Sequence, residues 1–130
     1  MKDIHISADS TRSDLEPIVK AIHELTGLPT TARSLNKLGI RMEKGKVQDA
    51  EYTGPVLEEV LRTNKTTRRV PNDGAYKGTP VVVSPIRNED GEVICVIGLV
   101  DIVGAIDISS TFSEYPGVIA EVEASKKRNQ

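Results

Sequence analysis

Residues 79–87 read TPVVVSPIR, residues 92–101 read EVICVIGLVD, and Asn88-Glu89-Asp90-Gly91 joins them. Two runs rich in valine and isoleucine, split by a short polar loop ending in glycine, predict an antiparallel hairpin. Strict alternation along the second run puts Val93, Cys95, Ile97 and Leu99 on one face and Ile94, Val96 and Val100 on the other. A strand apolar on both faces belongs inside a covered sheet, not at its border.

Working back from the hairpin, residues 66–70 (TTRRV) predict a short strand, and Pro71-Asn72-Asp73-Gly74 is dense in turn residues. A short helix precedes them, capped by Thr53 or Gly54, with Pro55 in its first turn and Asn64 at its end. Val56, Leu57, Val60 and Leu61 form its buried stripe, while Glu58, Glu59 and Arg62 face water. Residues 39–51 predict a weaker hairpin: Ile40 and Met42 alternate with charges, Lys44-Gly45 turns the chain, and Val47 starts the return. Residues 30–38 (TTARSLNKL) fit a strand or a loop equally. A first helix starts at Ser13 or Asp14, with Glu16 completing a capping box on Ser13 and Pro17 in the first turn. Its apolar face is Leu15, Ile18, Val19, Ile22 and Leu25, and Gly27 and Pro29 end it. Residues 1–10 form a strand through Ile4 and Ile6 or a loose arm. Beyond Asp101, residues 102–108 extend the sheet or make a helical turn. Residues 113–124 predict a last helix with Val118, Ile119 and Val122 inward, and residues 125–130 a basic tail suited to a helix C-terminus. The order implies an α+β fold over residues 1–130, one domain with a five-stranded antiparallel sheet and flanking helices.

Composition sets bounds on function. The chain has 130 residues, enough to bury a core, with 38% hydrophobic but only 3% aromatic residues. Its core must therefore be aliphatic. A net charge of -2 gives no general attraction to nucleic acid. One cysteine excludes an internal disulfide and suits a reducing compartment. The polar start MKDIHISADS does not read as a signal peptide, and no stretch approaches the ~20 apolar residues of a membrane span. The expectation is a cytoplasmic protein with neither nucleic acid nor membrane as partner.

Pro85-Ile86, Asn88-Glu89-Asp90-Gly91, Val96-Ile97-Gly98 and the closing Asp101 resemble the last two strands of PAS-like and Cache-like sensor domains. Cys95 departs from the small residue usual in that pattern. The likeness covers about a third of the chain, and GAF domains share a similar turn. The run LPTTARSLNKLGIRMEKGKVQDAEYTGPVLEEVL, followed by TRRVPNDGAYKGTPVVVSPI, is similar over most of the chain to a small archaeal family. That family is carried mainly by methane-producing organisms and described only as a domain of unknown function. The element order also resembles Roadblock-type and profilin-like dimerisation platforms.

Resemblance to the sensors implies a small anion or carboxylate held between sheet and loop. Arg68 and Arg69 offer planar forks for such a group, Tyr76 a hydroxyl, Asp73 and Lys77 charges beside Gly74 and Gly78. In a strand the two arginines point to opposite faces, so one alone can reach a given pocket. Each of these charges also suits a solvated surface, and Tyr76 an aromatic plug under the loop. Asp101, at the exit of the central strand, caps the next turn or couples a pocket to the C-terminal segment. His5 and His23, the only histidines, are expected at the surface or partly buried, and neither has metal-ligand spacing. Cys95 reads as a buried, inert thiol. No nucleophile elbow and no Walker loop is present. The expected function is a non-enzymatic PAS-like module that senses a small anionic ligand without cofactor or metal. The alternative is a homodimerisation scaffold or small subunit, docking through a sheet edge or the central hairpin.

Overall fold

A computed structural model describes residues 3–103. Contacts divide the chain into two units, Met1–Val100 and Asp101–Gln130. The first unit runs α1 (Arg12–Thr26), β1 (Thr30–Ser34), β2 (Gly39–Glu43), β3 (Lys46–Tyr52), α2 (Pro55–Thr63), β4 (Thr67–Arg69), β5 (Val81–Arg87) and β6 (Val93–Val100). Among the described residues, all strands join one antiparallel sheet in the order β3-β2-β1-β6-β5-β4. The hairpin β5–β6 is interior, and β6 lies between β1 and β5, where a strand apolar on both faces is covered.

The sheet has six strands, one more than the sequence predicts. The added strand is β1, from the stretch that fitted strand or loop. Its residues TTARS are all buried, yet none is a large aliphatic, so no period-two hydrophobic signal marks them. Several of their polar side chains are hydrogen-bonded. Thr30 Oγ1 donates to Leu28 O at 3.0 Å. Arg33, 8% exposed, donates to the carbonyls of Ser34 and Leu35, to Thr53 Oγ1, and to Glu58 Oε1 at 2.7 Å.

The two helices pack on opposite faces. Leu15 and Val19 of α1 meet Ala32, Ile40, Met42 and Cys95. Val56, Leu57, Val60 and Leu61 of α2 meet Val81, Val83 and Val96, with Tyr52 and Tyr76 beside them. A nine-residue helix is too short to persist alone in water. Burying these four side chains, at about 1.5–3 kcal/mol each, is what holds α2.

A bulge corrects the expected alternation of β6. Arg87 pairs with Val93 while Ile86 pairs with Cys95, so Ile94 is an extra residue. Val93 therefore joins Val96 and Val100 under α2, and Ile94 joins Cys95 and Ile97 under α1.

Helix α1 starts earlier than predicted. Thr11, not Ser13 or Asp14, is its cap, and Asp14 completes the capping box by accepting from Thr11 N at 2.9 Å. Pro17 consequently falls past the first turn, where it removes one intrahelical donor. Leu25 is 85% exposed rather than part of the buried face. His23, by contrast, is buried against expectation. Its Nδ1 lies 2.6 Å from Leu28 O, and its Nε2 accepts from Gly45 N at 2.9 Å. Leu25, two residues on and so about 200° around the helix, points away from the buried line of Leu15, Val19 and His23. The His23 bonds pin α1 to the β2–β3 turn, where Lys44 and Gly45 both take positive φ, as a two-residue hairpin turn requires.

Residues 3–10 form no strand, but they are not a loose arm. Ile6 packs on the α1-side core, Ser10 is buried, and Ala8 O accepts from Asn36 N. In the second unit Asp101 is buried, and Ile102 and Val103 are helical and exposed. The expectations for residues 104–108, the helix 113–124 and the tail 125–130 lie outside the described residues. Among the described residues no helix is long and apolar enough to cross a membrane.

Candidate functional site

On the α2 side of the sheet, the first turn of α2 and residues 71–78 flank a part-open cavity of about 20 Å³, room for one or two waters. Its floor is Thr31 of β1, Val81 and Val83 of β5, and the end of β6 at Leu99 and Val100. The floor is low there because Gly98 carries no side chain. A Cβ at Gly98 would sit 2.7 Å from Val83 Cγ2 and 3.3 Å from Thr31 Oγ1.

One wall is the start of α2, from Gly54 to Leu57. Gly54 is the N-cap and supplies no side-chain hydrogen bond, so the first-turn N–H groups lack the usual cap. Thr53, the other candidate cap, instead donates to Glu58 Oε1 at 2.6 Å.

The opposite wall is the segment 71–78, which folds on itself. Gly78 N donates to Pro71 O at 3.0 Å, and Thr79 N donates to Tyr76 O at 2.9 Å. Gly74 (φ 82°) and Gly78 (φ 79°) take the left-handed conformation at either side of Tyr76. Tyr76, 9% exposed, ties this segment to the sheet. Its ring meets Tyr52 edge-on at 6.5 Å, and its hydroxyl donates to Glu43 Oε1 at 3.1 Å. Glu43 Oε2 is held in turn by Arg41 at 2.8 Å, and the Arg41 guanidinium lies 6.0 Å from the Tyr52 ring centre. Arg41 Nε is buried without a hydrogen-bond partner among the described residues. Burial first, then the Glu43 carboxylate, pushes the Tyr76 phenol well above its ordinary range. Burial also raises the Tyr52 phenol, with Arg41 partly offsetting it.

Thr31 and Tyr52, both buried as residues, bring hydroxyl-bearing side chains to the lining.

Of the residues singled out from sequence, Asp73 and Tyr76 line the cavity; Arg68, Arg69, Lys77 and Asp101 do not. Arg69 is spent on Glu59 of α2 in a two-pronged pair at 2.6 and 2.5 Å, which holds the Glu59 carboxyl below its usual range. Arg68, pairing with Val82, points to the other face of the sheet and has its own interactions. Lys77 is exposed, and Asp101 belongs to the second unit. Sequence reading missed Thr31, Tyr52 and the bare start of α2. Gly54-Pro55, a helix start with neither serine nor aspartate at the cap, was the available sign.

Elsewhere, Cys95 is buried with its thiol 3.3 Å from Ser7 O, and burial pushes it up to about 11. It is a protonated thiol at neutral pH, not a nucleophile. Among the described residues no three His, Cys, Asp or Glu side chains converge to hold a metal ion.

Residues 22–103 match the family described as "Uncharacterized protein conserved in archaea (DUF2111)". The chain is 43% identical over 104 residues to "Uncharacterized protein MJ0405" of Methanocaldococcus jannaschii, an alignment covering 79% of each chain. No solved structure matches it.

Proposed function

The chain belongs to this uncharacterised archaeal family, and from that premise we propose that it is a non-enzymatic, PAS-like module that binds and reports a small ligand. The observation that carries the reading is the cavity beneath Tyr76, lined in part by Thr31 and Tyr52, with a glycine-flanked segment as its outer wall. At about 20 Å³ it admits a metabolite only if that wall moves. Tyr76 is the contact through which such movement reaches the sheet, by way of Glu43 and Arg41. Ligand occupancy is thereby converted into a change at the β2 end of the sheet, which a partner reads.

The test is a screen of the full chain against small acids, amines, amino acids and nucleotides, by thermal shift and ligand-observed NMR. A binder that moves the resonances of residues 71–78 and of Tyr52 supports the proposal. No binder, or shifts confined to other surfaces, overturns it. The second reading, a dimerisation scaffold, has less to work with. Both sides of the β5–β6 hairpin are occupied, β4 is three residues long, and β3 exposes Lys46 and Glu51 at the opposite edge. Sedimentation equilibrium distinguishes the two, since the scaffold requires a stable dimer without ligand.

A further inference from the structure

We infer that His23 is a proton-operated latch between α1 and the β2–β3 turn, closed while its imidazole is neutral and opened when the ring takes a second proton. The latch stands apart from the proposed ligand site and uses none of the cavity's residues. His23 is 7% exposed, and backbone groups engage both of its ring nitrogens. Nδ1 lies 2.6 Å from Leu28 O, and Nε2 lies 2.9 Å from Gly45 N. A carbonyl oxygen only accepts and a backbone N–H only donates. One tautomer therefore fits, with the proton on Nδ1 and the lone pair on Nε2.

A second proton changes one side of the ring alone. Nδ1–H still donates to Leu28 O, so the imidazole stays anchored at the end of α1. Nε2 turns from acceptor into donor and meets the Gly45 N–H, also a donor, head-on. The turn then moves off the helix. Gly45 is exposed, so its freed N–H passes to water instead of being stranded inside. On the other face of the sheet Glu43, the last residue of β2, keeps Tyr76 and Arg41 as partners. Opening is therefore local: Lys44-Gly45 parts from α1 while β2 remains in the sheet.

The charges around the ring do not substitute for that pairing. On α1, Lys20 and Glu24 are exposed, and so are Lys44 and Lys46 at the turn, where water and salt screen them. Residues 27–29 carry no charge. Arg33 of β1 is committed to Glu58, Arg41 and Glu43 of β2 to each other, and Asp49 of β3 lies opposite Arg41. Alternation puts these on the face away from α1. The two ring nitrogens alone set the state of the latch.

The experiment is an NMR titration of the full chain from about pH 8 to about pH 5, the span in which imidazoles as a class change charge. Imidazole ¹⁵N shifts report the proton on His23, and amide exchange, corrected for its intrinsic pH dependence, reports the latch. Protection of the Gly45 amide falls about tenfold or more as His23 takes its proton, the scale of one lost hydrogen bond. The Gly27 amide, bonded to His23 O, keeps its protection, as do the α1 amides. His23→Gln has no titrating ring and gives a flat Gly45 profile. His5→Gln, at the other histidine, keeps the step. Should His23→Gln not fold, the ring and amide readouts of the unmodified protein decide alone. A protonated His23 with Gly45 still protected overturns the inference, as does a His23 that stays neutral throughout. So does a step that survives His23→Gln or vanishes with His5→Gln. Loss of protection spread over α1 and β6 together with Gly45 overturns it too, because that is unfolding of the whole unit and not release of a latch.

Discussion

Truncating Tyr76 tests whether one side chain holds the outer wall of the cavity to the sheet. Two increments are separable. Tyr76→Phe removes the hydroxyl and its 3.1 Å bond to Glu43. Bonds to charged acceptors contribute about 1.5–3 kcal/mol. Glu43 keeps Arg41 as a partner, so the loss belongs at the low end, about 1.5 kcal/mol. Tyr76→Ala also removes a ring that is 9% exposed and stacked edge-on against Tyr52. Buried aromatic-to-alanine changes cost about 3–5 kcal/mol, a large share of the roughly 5–15 kcal/mol that holds an ordinary domain together. Urea denaturation gives both numbers, provided the m value is unchanged. Hydrogen exchange localises the effect: in Tyr76→Phe the amides of Gly78 and Thr79, bonded to Pro71 O and Tyr76 O, should exchange faster while α1 amides keep their protection. A loss below about 0.5 kcal/mol for phenylalanine and below about 1 kcal/mol for alanine would refute the reasoning, since those are the sizes expected of surface changes.

Other consequences follow from the same contacts. Stability should fall in alkali: the folded state keeps the Cys95 proton to about pH 11, while an ordinary thiol releases it near 9.0, so the contribution is whole below pH 9 and lost as pH rises toward 11. Tyr76, raised from 10.0, adds to the fall above pH 10, and Cys95→Ala should flatten the earlier part of a pH–denaturation series. Arg33→Lys should cost about 2–3 kcal/mol in urea denaturation, because an ammonium cannot serve four acceptors spread around a planar fork. A double-mutant cycle with Glu58→Gln should return no more than about 1 kcal/mol, since that carboxylate is half exposed. His23→Phe should cost about 2 kcal/mol by leaving Leu28 O and Gly45 N–H unpaired, and ¹⁵N spectra of the intact protein should show the proton on Nδ1.

Where local chemistry was decisive, sequence reading reached the structure directly. The β5–β6 hairpin, the Lys44-Gly45 turn, and α2 with its stripe and its Asn64 terminus are all set by periodicity or by residues that only certain backbones accept. Arg68 and Arg69 fell on opposite faces, because alternation in a strand leaves no choice. The misses share a cause. β1 is buried through small and polar residues, so it carries no hydrophobic period, and Arg33 is held inside partly by Thr53 and Glu58 from beyond β3. The Ile94 bulge reverses alternation through a register shift against β5 that neither strand reveals alone. His23 is inside because Gly45, far along the chain, offers a donor.

The sequence alone therefore determined that an aliphatic hairpin would lie within an antiparallel α+β sheet, since patterning and turn residues act over a few positions. It also placed Asp73 and Tyr76 together on one short loop. Only the tertiary structure decided that their neighbours are Thr31, Tyr52 and the bare start of α2, and that Arg69 turns instead to Glu59. Those partners come from separate elements, and their meeting depends on strand order and on which helix covers which face, quantities to which no local run of residues is sensitive.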